Sequence, residues 1–158
     1  PSVVGIMVQA LDATPRCKVL EVGSGSGYQT AILSRLARRI YSLERFSELA
    51  FSTKKLIEQL NISNVTILFK DGSSGLSEQA PFDRIIVSAA TDDIPKILLD
   101  QLKPNGILVA PVGKSDAVQK LIKVEKLEDR YNYIELKTVR FLPIIEGKDY
   151  NEISKNPL

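Results

Sequence analysis

Short runs of apolar, β-branched residues alternate along this chain with stretches that carry apolar side chains at helical spacing. That alternation restricts the fold more than any other feature. Lys18–Val22, Ile40–Glu44, Val65–Phe69, Asp83–Ser88 and Ile107–Val112 read as strands. Residues 27–38, 47–60 and 94–102 place apolar residues every three or four positions and read as helices, with Pro95 in the first turn of the last. Another helix over residues 2–12 precedes the first strand and stops at Thr14-Pro15. Ile85-Ile86-Val87 is apolar without interruption, as in a strand covered on both faces. Strand and helix in strict turn predict an α/β fold built on a doubly wound, mostly parallel sheet. Lys103-Pro104-Asn105-Gly106 reads as a turn. After the fifth strand the rhythm changes. Residues 118–127 and 131–142 read as two strands with only Glu128-Asp129-Arg130 between them, which predicts an antiparallel hairpin at the sheet edge. No linker or repeat divides residues 1–158, so a single domain is expected, and the polar tail from Glu146 is expected to be loose.

Composition matters here for what it removes. The chain has no histidine and one cysteine. Ser-His-Asp and Cys-His nucleophilic machinery is therefore excluded, and with it the commonest metal ligand. Cys17, at the start of the first strand, is expected to be a small core residue, and no metal site is predicted. Lys and Arg outnumber Asp and Glu by only 21 to 19, and they are scattered, so neither a nucleic-acid nor a membrane partner is expected. With no secretory or membrane-spanning run, the expected compartment is the cytoplasm. The chain opens on Pro1 and runs at once into an apolar stretch, as a fragment without its N-terminal part would.

The chemistry is concentrated where the first strand meets the next helix, at Glu21-Val22-Gly23-Ser24-Gly25-Ser26-Gly27. Glycines let the backbone turn sharply and let a ligand approach with no Cβ in the way. The spacing is G-x-G-x-G, not the G-x-G-x-x-G that seats a dinucleotide pyrophosphate on a helix N-terminus. It suits S-adenosylmethionine, which has no phosphate. Ser26 with Gln29 three residues on fits a capping box for the helix. Glu44 ends the second strand at the distance expected of an acid that takes two vicinal ribose hydroxyls. Asp71-Gly72 follows the third strand, where the Asp can accept from the adenine amine and the Gly lets the ring lie close. Each feature alone has a plainer reading, as a tight turn, a polar strand end or an Asp-Gly turn. Three at successive strand ends favour a ligand site.

Residues 19–33, with Gly23-Ser24-Gly25-Ser26-Gly27-Tyr28-Gln29, closely resemble the glycine motif of the protein-L-isoaspartate O-methyltransferases. The resemblance continues through Asn64-Val65-Thr66, Asp71-Gly72, Ala80-Pro81-Phe82-Asp83, Ile85 to Ala90, Gln101-Leu102-Lys103-Pro104, Pro111-Val112-Gly113 and Val139-Arg140-Phe141-Leu142-Pro143. It covers about residues 1–144. Asn105 and Ser88 depart from it, standing where Gly and Thr are usual. The resemblance implies a seven-stranded Rossmann-like methyltransferase sheet with S-adenosyl-L-methionine as cofactor and S-adenosyl-L-homocysteine as its product. Glu21, Gly23, Ser24, Gly25, Gly27, Tyr28, Glu44, Asp71 and Gly72 would bind the cofactor. Ser88, Ala89, Ala90, Val139, Arg140 and Phe141 would meet the substrate. The implied partners are proteins and peptides containing isoaspartate, and the implied state is a monomer. The family's active-site Ser or Thr would precede Pro1, so no catalytic residue is assigned within the chain.

The implied reaction needs no imidazole. The acceptor is a free carboxylate with an ordinary pKa of about 4, already ionised at neutral pH. Two alternatives stay open at this point: another class I methyltransferase, and a shortened domain that binds the cofactor without turnover.

Overall fold

The computed structural model describes residues 2–114 and 118–139. The chain runs α1 (Val3–Leu11), β1 (Lys18–Val22), α2 (Tyr28–Ser34), β2 (Arg39–Glu44), α3 (Ser47–Gln59), β3 (Val65–Phe69), two short 3-10 turns (Gly72–Ser74 and Ser77–Gln79), β4 (Phe82–Val87), α4 (Lys96–Asp100), β5 (Leu102–Val112), β6 (Gln119–Lys126) and β7 (Tyr131–Val139). The strands form one seven-stranded sheet in the order β3-β2-β1-β4-β5-β6-β7. The first five strands pair in parallel, β6 runs antiparallel to β5, and β7 antiparallel to β6. The predicted mostly parallel sheet with an antiparallel edge hairpin is present.

The central strands of the sheet are buried on both faces because they send apolar side chains alternately each way. Val19, Ile40, Ile86 and Val109 share one core with Met7 and Leu11 of α1 and Leu33 of α2; Cys17 and Val139 belong to it too. Leu20, Val22, Leu43, Ile85 and Leu108 share the other core with Leu98 and Leu99 of α4. Helix α3 packs over β2 and β3.

Three local expectations need correction. Helix α2 ends at Ser34 rather than at residue 38. The Asn64 side-chain amide donates to the carbonyls of Ser34 at 2.8 Å and Ala37 at 3.1 Å, and closes the helix end there. The helix expected over 94–102 is a single short helix, α4, with Pro95 at its N-cap. The supposed turn at 103–106 lies within β5, which begins at Leu102. Its register against β4 breaks between Phe82 and Arg84, and Asn105 takes a φ of 64°. An extra loop of backbone is absorbed in the strand as an irregularity, which a Lys-Pro-Asn-Gly composition does not distinguish from a turn.

Candidate active site

The carboxyl ends of β3, β2, β1 and β4 lie side by side, and the ladder continues a residue beyond β1, β3 and β4. Gly23 N donates to Leu43 O at 2.8 Å, Ser88 N to Val22 O at 2.9 Å, and Lys70 N to Glu44 O at 2.9 Å. These bonds fix the rim of a cavity of about 240 Å³. Val22, Gly23 and Gly25 line it from β1 and its turn; Leu43 and Glu44 from β2; Phe46 from the N-cap of α3; Asp71 and Gly72 beyond β3; and Ser88 and Ala89 beyond β4. Apolar walls with a few convergent polar groups are the usual make-up of a small-molecule site.

Two glycines of the turn need their identity for different reasons. Gly25 has φ 53°, and a Cβ built there meets nothing within 4 Å, so the absent side chain leaves open cavity space. Gly27 has φ 87°, and its Cβ would stand 2.9 Å from Thr53 Cγ2 of α3. Gly27 is the N-cap of α2 and supplies no side-chain bond, so the expected capping box from Ser26 to Gln29 does not form. At Gly72, past β3, a Cβ would sit 2.4 Å from Val22 Cγ1, so only glycine lets that turn close over the wall of the cavity.

Glu44 is buried and held from two sides. Its Oε2 accepts from Gly25 N at 2.9 Å and Ser24 Oγ at 3.2 Å, and its Oε1 from Phe46 N at 3.2 Å. A carboxylate has about four acceptor positions. Three are taken, which leaves acceptor capacity on a group that lines the cavity. Asp71 Oδ1 accepts from Ser73 N at 3.0 Å and starts the 3-10 turn after β3.

Glu21 lies two residues upstream of the turn, paired in register with Ser42 of β2. It is completely buried and does not line the cavity. Its Oε1 accepts from Thr30 Oγ1 and Ser42 Oγ, each at 2.5 Å, and its Oε2 from Gln29 Nε2 at 2.9 Å. The same Nε2 reaches Ser88 Oγ at 2.9 Å. Burial pushes the Glu21 carboxyl up from its ordinary value; bonds from Ser42, Thr30 and Gln29 oppose this, and the nearby charge of Glu44 adds to it.

Gly23, Gly25, Glu44, Asp71, Gly72, Ser88 and Ala89 thus meet at one cavity. Ser24 stands behind it through its bond to Glu44. Gly27 packs on α3, and Tyr28 is 64% exposed at the start of α2. Ala90 is buried. The Val139 side chain faces the α1 core, so only its backbone is placed at the sheet edge. Arg140 and Phe141 lie outside the described residues. Sequence reading missed Val22, Leu43, Arg45, Phe46 and Leu49 as lining. Their position was the available signal, since residues at and just after strand carboxyl ends border the crevice of such sheets.

Residues 1–149 match the model of the protein-L-isoaspartate(D-aspartate) O-methyltransferase family. A protein-L-isoaspartate O-methyltransferase of Roseobacter denitrificans is 60% identical over 147 residues, which are 93% of this chain and 69% of that protein. A solved protein-L-isoaspartate O-methyltransferase superposes with a TM-score of 0.82 at 27% identity, covering 90% of this chain and 46% of that one. A putative enzyme of the same kind from Plasmodium falciparum, solved in complex with S-adenosyl-L-homocysteine, superposes with a TM-score of 0.72 at 25% identity over 91% of this chain and 72% of its own.

Proposed function

The chain belongs to the protein-L-isoaspartate(D-aspartate) O-methyltransferase family, and from that premise we propose that it transfers the methyl group of S-adenosylmethionine to the free carboxylate of L-isoaspartyl residues in damaged proteins, the step that initiates their repair. The observation that carries this reading is the convergence of Gly23, Gly25, Glu44 and Asp71 with Ser88 and Ala89 on one cavity at the ends of four adjacent strands.

The residues present suit the cofactor. Glu44 offers a carboxylate with spare acceptor capacity to ribose hydroxyls. Asp71 and Gly72 stand where the adenine amine and ring would lie, against the apolar walls of Val22, Leu43 and Leu49. Gly23 and Gly25 leave room for the amino-acid part. The bound cofactor supplies a methyl group already activated on a sulfonium. The chain's own task is to hold it, admit the acceptor carboxylate beside Ser88 and Ala89, and exclude water. Because the acceptor is ionised at neutral pH, no side chain has to remove a proton. Rate gain comes from alignment, with reacting atoms brought to about 3–3.5 Å. Ala90 and the sheet edge at Val139 complete the acceptor side, the edge offering backbone groups to an extended peptide. The chain works as one domain and as a monomer in the cytoplasm. Among the described residues no helix is long and apolar enough to cross a membrane.

A methyl-transfer assay tests the reading, with labelled S-adenosylmethionine and two peptides that differ only in L-isoaspartate or L-aspartate. Base-labile label on the isoaspartyl peptide alone is the expected result. Cofactor binding with no transfer to either peptide overturns the activity, and no cofactor binding overturns the site.

A further inference from the structure

Gln29 occupies the first turn of α2 and is buried. Its Nε2 donates to Glu21 Oε2 and to Ser88 Oγ, each at 2.9 Å, which uses both amide hydrogens. The direction of these bonds is set at the Glu21 end. A carboxylate oxygen without a proton can only accept. The hydroxyls of Thr30 and Ser42 crowd Oε1, so any proton Glu21 takes goes there, against groups that can rotate to accept it. Oε2 remains an acceptor, and the Gln29 amide must turn its NH2 inward. That same NH2 faces Ser88, whose oxygen must then accept. The Ser88 hydroxyl hydrogen points away from Gln29. Among the described residues none accepts it, and Ser88 lines the cavity.

We propose that Glu21 and Gln29 are positioning residues that hold the Ser88 hydroxyl as a one-way hydrogen-bond donor to the carboxylate of the isoaspartyl acceptor. The inference rests on the function proposed above and names how the site would select its acceptor. A hydroxyl free to rotate serves an amide or an alcohol as well as a carboxylate. One whose lone pair is engaged by a fixed NH2 favours a group that only accepts. A loaded site holds a second carboxylate, on the amino-acid part of the cofactor, and the order of the sheet separates the two. Asp71, Glu44 and Gly23 stand at the ends of β3, β2 and β1, neighbours in that order and the line along which adenine, ribose and amino acid would lie. Ser88 follows β4, one strand beyond.

The test compares S88A, S88T, E21L and the E21L/S88A double variant, with kcat and KM for an isoaspartyl peptide and a calorimetric Kd for S-adenosylmethionine. S88A is expected to raise the peptide KM roughly tenfold or more, since hydrogen bonds to charged groups are the stronger class. Its kcat should change less than about threefold, as for an interaction made equally in ground and transition states. The cofactor Kd should stay put, and S88T should restore the KM. Glu21→Leu removes the acceptor that holds the Gln29 NH2 inward. Gln29 is then free to present its carbonyl, and Ser88 donates to it instead. E21L is therefore expected to raise KM as S88A does, and the double variant to be no worse than S88A. Additive effects, or an E21L with unchanged KM, overturn the relay. A weakened cofactor Kd in S88A with an unchanged peptide KM overturns the choice of acceptor. Should E21L fail to fold, Gln29→Leu makes the same comparison, and an unchanged KM there is equally fatal. No transfer by the unmutated protein overturns the function itself; transfer with an unaltered KM in S88A overturns only this inference.

Discussion

The glycine turn has two sides, and each is organised round a buried glutamate. On the cavity side Glu44 is held by backbone N–H groups of Gly25 and Phe46 and by Ser24. On the packed side Glu21 is held by the side chains of Gln29, Thr30 and Ser42. Their exposures, 4% and 0%, do not tell them apart. Their donors do. Backbone donors lie along the rim and leave Glu44 a face toward the cavity. Side-chain donors reach Glu21 from α2 and β2 and enclose it. Burial of an acid thus says little about function until the groups that satisfy it have been traced.

The sharpest way to break the comparison is to neutralise each acid in turn. E44Q is expected to weaken S-adenosylmethionine binding by about 2 kcal/mol, roughly thirtyfold, because charged hydrogen bonds to ligand hydroxyls are lost. E21Q should leave that affinity unchanged in the same titration, and an equal loss in both would erase the distinction. Next come the glycines. G27A forces a Cβ against Thr53 in the left-handed region and should cost roughly 1–3 kcal/mol of stability by denaturant unfolding. The folded fraction should still bind cofactor. G25A carries the left-handed strain but meets no protein atom, so it should lose less stability than G27A, yet bind cofactor less well because its methyl enters the cavity.

A subtler contrast lies in pH. The folded-state pKa of Glu21 is raised, so between the unfolded and the folded values the folded protein holds a proton that the unfolded chain has released. Stability then falls as pH rises from the unfolded carboxylate value up through the raised folded value. Below the unfolded value the cost of burying the charge is absent, and above the folded value it is complete. E21Q removes the cost, so its Tm relative to the parent should climb with pH across that window. A flat difference would show that Glu21 titrates normally. The smallest effect belongs to S24A. It removes a 3.2 Å bond to Glu44 but frees an acceptor position for ribose, and cofactor affinity should move by less than about twofold.

Much of this arrangement was legible in the residues. Val65–Phe69 and Lys18–Val22 match their strands to the residue, because runs of apolar and β-branched residues between turn signals have few other uses. Glu44 and Asp71 were legible because the ends of parallel strands are where such sheets bind ligands. What stayed hidden depends on partners far away in the chain. Gln29 at the third residue after Ser26 looked like a cap, but Glu21 and Ser88 claim its amide across the fold. Asn64 gave no sign that it would close α2 from thirty residues away. Glu21 sat in the motif with the look of a ligand contact, and only the pleat sends it to the opposite side from Val22.

The position of β1 between β2 and β4 has a kinetic consequence. Lys18 N is bonded to Asp83 across 65 residues of chain, and the cavity needs the ends of β1, β2, β4 and the turn after β3 together. No shorter segment contains the site. Parallel pairings of this reach close slowly, since loop entropy is lost before contacts form. In a refolding experiment, cofactor binding would therefore report completion of the central sheet, lagging the early appearance of helix. Once formed, the native state would gain RT ln(1 + [L]/Kd) from the ligand, spread over every strand that had to arrive first.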